Sequence, residues 1–410
     1  MTDSQSNTKG IAKVITLKPF YNENKMMPGM TVEVLKKMDV KKIRSNFPIV
    51  NKVCYMNHAV QGPLPESSQR HMIEYIETLN DSLKRTVDVE EFRKTFSQLI
   101  CSSTDEIALI PNTSTGLNIA CDSLNYLKND NVVVTDLEFP SVVYPWLRRK
   151  IGVDVRYVEN REGTIVLDDF EELVDDETVA VVVSHVEYSN GFRNNLREIA
   201  DIAHDHGAYL IVDAVQSVGA LKIDVKRLEV DFLTASSYKW MLGPSGAGFL
   251  YVKNELIDEL EPAYVGWASV NQDMFENIGL WDNKRLDLND KASRFEVGEA
   301  SIVSLIGANE SVNLLINIGT ENVESRILNL TKRLIDGLKE ANIKLNTPDT
   351  EEHRSGIVNF SVREPMKVSE KLLSNRMVVS VRADGIRVSP HFYNTKDEID
   401  DFLEVLYRII

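Results

Sequence analysis

The sequence predicts an α/β protein built on a mostly parallel sheet. Three observations carry that prediction. Short, continuous apolar runs rich in β-branched residues recur between residues 106 and 252. Helical stretches separate them, and after residue 294 the pattern changes to two long amphipathic helices followed by short strands and a final helix. Runs that are apolar at every position suit strands buried on both faces of a sheet, and alternation with helices suits parallel pairing.

Taken in order, residues 1–52 read as an N-terminal extension and a helix. The extension is polar, with a short apolar patch and "MMPGM", and suits an arm packing on a partner subunit; "VKKIRSNFPIV" is a helix running into Pro48. Residues 53–293 read as a large domain. Its strands are "EIALI" (106–110), "NVVVTD" (131–136), "TVAVVVS" (178–184), "AYLIVD" (208–213), "DFLTAS" (231–236) and "GFLYV" (248–252). Between two of them, "NLREIADIAHDHG" sets Leu196, Ile199, Ala200 and Ala203 on one helical face, with Gly207 as the stop. Residues 294–410 read as a smaller α+β domain, with strands in "GIVNFSV" and "VVSVR" before the helix "TKDEIDDFLEVLYRII".

Composition narrows the function classes. Of 410 residues, 43% are hydrophobic and 26% charged, enough apolar material for a large core. A formal net charge of -16 without a basic patch argues against a nucleic-acid partner. Cys54, Cys101 and Cys121 lie far apart, so free thiols in a reducing cytoplasm are expected. The seven histidines form no metal-ligand spacing, since His204 and His206 are two residues apart on different helix faces; no metal site is expected. The polar start lacks an apolar signal core, and no run approaches membrane-spanning length, so a soluble cytoplasmic protein is expected.

Ligands of open α/β sheets bind beyond the C-terminal ends of the strands, and chemistry-bearing residues collect there. In "ALIPNTSTGLN", Thr113, Ser114, Thr115 and Gly116 open a helix after a strand; they form either a phosphate site or an ordinary N-cap by one of the three hydroxyl residues. In "LIVDAVQS", Asp213 ends a strand and Gln216 follows. Asp213 is either a helix cap or an acid aimed at a ring nitrogen, with Gln216 donating to a ring oxygen or imine. In "TASSYKWMLGPSG", Lys239 again follows a strand, and is either a solvated surface lysine or a desolvated amine of lowered basicity. Phosphate cradle, acid and buried lysine together suit pyridoxal phosphate (PLP). "GPSGAG" (243–248) is not a dinucleotide fingerprint, which argues against a nucleotide-binding oxidoreductase.

The run "SHVEYSNGFRNNLREIADIAHDHGAYLIVDAVQSVGALKIDVKRLEVDFLTASSYKWMLGPSGAGFLYV" resembles the core of class V aminotransferase-type, fold-type-I PLP enzymes. That family includes cysteine desulfurases, kynureninase and isopenicillin N epimerase-like proteins. The likeness extends from about residue 53 to the C-terminus on a D-x-x-Q…S-x-[HY]-K pattern. It implies an aspartate-aminotransferase-like fold, a homodimer with shared active sites, and an amino-acid substrate. It implies Lys239 as Schiff-base lysine, Asp213 on the pyridinium nitrogen and Gln216 on the phenolic oxygen. Ser236 and Tyr238 would join Ser114 and Thr115 on the phosphate. Phe139, in "DLEFPSVVYPW", would stack on the ring unless it is an ordinary core residue, and Tyr188 would reach the phenolic oxygen. Trp267 and Ser301 would serve the partner's site.

The same likeness implies that Arg387, in "GIRVSPHFYNT", clamps the substrate carboxylate, with a surface salt bridge as the plainer reading. Arg382 is either nearby or structural. In "YMNHAVQGPLP", backbone groups around His58 and Ala59 would face the amino acid. A desulfurase carries its nucleophilic cysteine on a loop between the segments matching "SVRADG" and "IRVSPHF". Here "VSVRADGIRVSPHF" has neither loop nor cysteine, and the stacking histidine of desulfurases is also missing. The resemblance is therefore closest to the epimerase-like branch. The expected reaction is transamination or epimerisation, with kynureninase-like or C–S lysis as an alternative and a PLP-binding, non-catalytic protein as another.

Overall fold

A computed structural model describes residues 39–81, 87–148, 152–271, 284–348 and 350–410. Most of the expected N-terminal extension lies outside the described residues. In the large lobe the elements run α1 (Val40–Arg44), β1 (Cys54–Tyr55), α2 (Glu66–Asp81), α3 (Val89–Ile100), β2 (Ile107–Ile110), α4 (Thr113–Ser123), β3 (Asn131–Thr135), α5 (Pro140–Leu147), β4 (Asp154–Val158), α6 (Leu167–Leu173), β5 (Thr178–Ser184), α7 (Leu196–Asp205), β6 (Tyr209–Asp213), β7 (Phe232–Ser236), β8 (Gly248–Val252), α8 (Asn254–Ile257) and α9 (Ile302–Ile318). Then come α10 (Thr320–Glu340), β9 (Val358–Ser361), α11 (Pro365–Ser374), β10 (Met377–Val378), β11 (Ser380–Arg382), β12 (Gly385–Val388) and α12 (Lys396–Ile409).

Seven strands form the central sheet in the order β2-β8-β7-β6-β5-β3-β4. Only β8 is reversed, pairing antiparallel with both β2 and β7, while the other pairs are parallel. Alternate residues feed two separate cores. Val133, Val181, Val183, Leu210, Val212 and Leu233 face one side with Ile199, Ala200 and Ala203 of α7. Val132, Val134, Ala180, Val182, Ile211 and Phe232 face the other with α4 and α5. Each Val, Leu, Ile or Phe among them contributes on the order of 1.5–3 kcal/mol on burial, which is why the runs are apolar at every position. Gly207 ends α7 at φ +76°, a conformation that favours glycine.

The C-terminal lobe has its own core of Leu334, Phe360, Ile386 and Phe402 around the sheet β11-β12-β9. Contacts cross both expected domain boundaries. β1 pairs with β10 and Met56 joins the C-terminal core, whereas Leu305, Ala308 and Val312 of α9 pack into the large-lobe core. β12 was not foreseen as a strand. It joins β11 through a two-residue turn whose Ala383 and Asp384 both have positive φ, the geometry of a tight hairpin.

Candidate active site

The parallel strands deliver five turns to one edge of the sheet, and the functional side chains come from these turns. β2 leads to Thr113, β3 to Phe139, β5 to Tyr188, β6 ends on Asp213, and β7 leads through Ser236 to Lys239. Register brings them together: Ser184 pairs with Asp213, and Asp213 with Thr234. The Thr113 amide donates to Ser236 Oγ at 2.7 Å, and the two hydroxyls lie 2.8 Å apart. α4 reaches that position because Gly116 lies against β7; a β-carbon there would stand 2.2 Å from Thr234 Oγ1.

Lys239 is no solvated surface lysine. Burial pulls its amine down to about 8, with Arg387 and Arg382 acting in the same direction against the charge of Asp213. The amine has no hydrogen-bond or ion-pair partner among the described residues and sits 6.0 Å from the centre of the Phe139 ring. Asp213 is 3% exposed. Burial pushes its carboxyl up to about 6, against the Val215 N–H and Lys239. Its Oδ1 accepts from Val215, and no helix follows, so it is not a helix cap. The other carboxylate oxygen has no donor among the described residues.

Gln216 is held at both ends of its amide. Its Nε2 donates to the Ala59 carbonyl at 3.0 Å, and its Oε1 accepts from the Trp240 indole at 2.8 Å. Phe139 is not a core residue: it is 45% exposed and meets the Tyr188 ring edge-on at 5.2 Å. Arg387 is 1% exposed with no carboxylate partner among the described residues, which excludes the surface salt bridge. Its Nε donates to Ser380 Oγ and Nη1 to the Tyr188 carbonyl, leaving Nη2 without a partner among the described residues. Burial pulls its guanidinium down from the usual arginine range to about 9, with Arg382 adding to the fall.

Several expectations are corrected. The His58 imidazole does not face a ligand. It is fully buried, its nitrogens engaged by the Ser389 carbonyl and the Tyr393 hydroxyl, and burial pulls it down to about 3. The amides of His58 and Ala59 are both taken up by Ser389, so the contribution of Ala59 is the carbonyl that holds Gln216. The N-cap of α4 is Asn112, whose side chain accepts from the amide and hydroxyl of Thr115; Thr115 therefore turns back to the cap. Ser114 instead pairs with Ser141 at 2.8 Å. Tyr238 contributes its ring, 5.7 Å from the Lys239 amine. Trp267 and Ser301 do not join this cluster within one chain. Trp267 lines a separate cleft of about 590 Å³ with Tyr75, Arg93 and Leu109, and Ser301 bonds Ser304.

The residues present fit PLP. An uncommitted amine, an uncommitted carboxylate oxygen, an uncommitted guanidinium nitrogen and an exposed aromatic face converge, with hydroxyls and the α4 N-terminus at the far end. Sequence reasoning missed Gly62, Ser141, Trp240 and Ser380, which support these groups. It also missed two buried acids, Glu138 and Glu187. Glu138 accepts from the amide and hydroxyl of Ser184, and Asn194 bridges the Ser184 carbonyl to Glu187. Among the described residues, no group of side chains is arranged to hold a metal ion.

Comparison with known proteins agrees with this geometry. The family model of aminotransferase class-V matches residues 76–402. A probable cysteine desulfurase of Methanothermobacter thermautotrophicus is 31% identical over 91% of this chain and 98% of its own length. An uncharacterized aminotransferase, YcbU of Bacillus subtilis, is 29% identical over 88% of this chain and 95% of its own. Among solved structures, the apo cysteine desulfurase of Thermococcus onnurineus NA1 superposes with a TM-score of 0.82 at 27% identity, covering 90% of this chain and 98% of that one. A variant of C-DES with glycine linked to its PLP cofactor shares the fold, with a TM-score of 0.80 at 23% identity over 88% and 98% of the two chains.

Proposed function

The chain belongs to the class-V aminotransferase family of PLP-dependent, fold-type-I enzymes, and from that premise we propose that it moves the α-proton of an amino acid, giving transamination or epimerisation. The observation that carries the proposal is the Lys239 amine, desolvated, uncommitted and facing Asp213, Phe139 and Arg387. When bound, the cofactor supplies an electron sink for the charge left at the α-carbon.

The chain's own residues divide the remaining work. Asp213, its charge set against Lys239, would keep a proton on the ring nitrogen through its uncommitted oxygen. Gln216, fixed by Ala59 and Trp240, would contact the phenolic oxygen. Thr113, Ser114 and Ser236, at the α4 N-terminus, would hold the phosphate. Arg387 holds the carboxylate of the amino acid, anchored by Ser380 and Tyr188. Lys239, with an amine near 8, is partly neutral at physiological pH and takes and returns the α-proton.

The tight Ala383–Asp384 turn supports α-proton chemistry over desulfuration through an enzyme thiol. Cys54, Cys101 and Cys121 all lie in other elements, and burial raises all three thiols. C–S lysis without an enzyme thiol is the second reading, favoured by the desulfurase names of the relatives. We also propose a homodimer. Tyr264, Val265, Trp267 and Val297 expose apolar surface, and Gly266 packs against Val297, which joins them into one patch.

The test is an absorbance spectrum of the purified protein with PLP, then with a panel of amino acids, followed by product analysis. A yellow band that responds to an amino acid, with keto acid or racemised product, supports the proposal. Release of sulfide or a cleaved side chain replaces it with lysis. A protein that takes up PLP but turns over no amino acid leaves a binding protein instead.

A further inference from the structure

The small sheet β11-β12-β9 is amphipathic, and its polar face bears on the site. Register pairs Ser380 with Arg387, Arg382 with Gly385, and Arg387 with Asn359. Alternation therefore puts Ser380, Arg382, Arg387 and Asn359 on one face, while Val358, Phe360, Ile386 and Val388 fill the core behind. The 3.2 Å contact between Arg387 Nε and Ser380 Oγ fixes which face this is. Arg382 stands two residues along the strand from Ser380, about 7 Å. The residue opposite it is Gly385, and the Asn359 and Asn346 side chains fill the space a β-carbon would take there.

This face carries two guanidinium groups, and neither has an ion-pair partner among the described residues. Among the described residues, the only hydrogen bond of the Arg382 side chain runs to the carbonyl of its neighbour Val381. Both charges act on Lys239, and Arg382 acts on Arg387, so they share one electrostatic environment. One anionic group, the α-carboxylate, is assigned to Arg387. The hydroxyls that would hold the cofactor phosphate, those of Thr113, Ser114 and Ser236, gather at the N-terminus of α4. The charge of Arg382 is left over.

We propose that Arg382 receives a second anionic group of the substrate, so that the enzyme acts on an amino acid whose side chain ends in an acid. The inference rests on the PLP reading above. Aspartate, glutamate and their sulfinate analogues supply that charge on a short arm, and cystine supplies it as a second α-carboxylate on a longer one. An uncharged amide of the same shape lacks the charge-assisted bond.

The holoenzyme is titrated with aspartate against asparagine, glutamate against glutamine, and cystine, following the cofactor absorbance as a binding signal. The acid half-saturates at about tenfold lower concentration than its amide, the ratio falls to about one in Arg382→Gln, and Arg382→Lys restores most of it. Tighter binding of cystine than of aspartate assigns the second charge to the longer arm. Equal affinity for acid and amide in the wild type overturns the proposal, as does a preference that survives Arg382→Gln. A protein that takes up no cofactor, or whose spectrum answers to no amino acid, instead overturns the underlying PLP reading, and the inference falls with it.

Discussion

Gly62 lies against Lys239 so closely that a β-carbon on it would stand 2.2 Å from the Lys239 carbonyl oxygen. The Gly62 amide also donates to the Tyr238 carbonyl at 2.8 Å. The turn that carries the lysine is thus clamped by a segment far away in the chain. Because the atom met is backbone, it cannot swing aside. Gly62→Ala is expected to cost about 1–3 kcal/mol of stability and to displace the lysine. Melting temperature and cofactor affinity should both fall; an unchanged absorbance band with normal affinity would show that the clamp is unimportant.

Replacing Lys239 by alanine removes the one uncommitted amine in the site. The variant should keep its fold, since the side chain makes no hydrogen bond, but lose the yellow absorbance and at least about a thousandfold in turnover. Circular dichroism checks the fold, and wild-type turnover would sink the assignment.

Arg387 is buried, and its fork is shared between Ser380, Tyr188 and an open position. A lysine offers a point charge and cannot fill that fork. Arg387→Lys is expected to raise the half-saturating amino-acid concentration about tenfold or more, with cofactor uptake retained. Spectral titration measures it; unchanged affinity moves the carboxylate site elsewhere.

Glu138 and Glu187 predict a pH dependence of stability. Both carboxyls are buried, and burial pushes each up, Glu138 towards about 8; the charge of Glu138 raises Glu187 further. Glu187 Oε2 has no hydrogen-bond partner among the described residues. Raised acids mean that the folded protein holds protons the unfolded chain has released, so stability falls as pH climbs from about 4.5 to about 8. Glu187→Gln should flatten that fall, because the amide does not titrate and sets no charge beside Glu138. Thermal unfolding of the apoprotein across this range checks it, and parallel curves for variant and wild type would refute the coupling.

Much of the fold was legible in the sequence. The six apolar runs became strands within a residue or so of their expected bounds, because a strand buried on both faces must be apolar at every position. Lys239, Asp213 and Gln216 were legible for a related reason: each polar residue follows such a run, where the sheet ends. β12 escaped notice because its four residues include an arginine, which in one dimension looks like surface. The backbone around His58 and Ala59 read as free to face a ligand because Ser389, which takes up both amides, lies far from them in the chain. Glu138 and Glu187 passed unnoticed because the segments that bury them also lie elsewhere in the chain.

By itself, then, the sequence determined which segments become strands and helices, and which polar residues stand at the strand ends. Those properties depend on local periodicity and on the few residues around each turn. Only the tertiary structure decided what surrounds each of these groups. It placed Gly62 on the lysine turn, Trp240 on Gln216, Ser380 and Tyr188 on Arg387, and Arg382 beside Arg387 without a carboxylate. The physical reason is that desolvation, charge proximity and hydrogen-bond partners are set by segments brought together across hundreds of residues, and no local pattern records them.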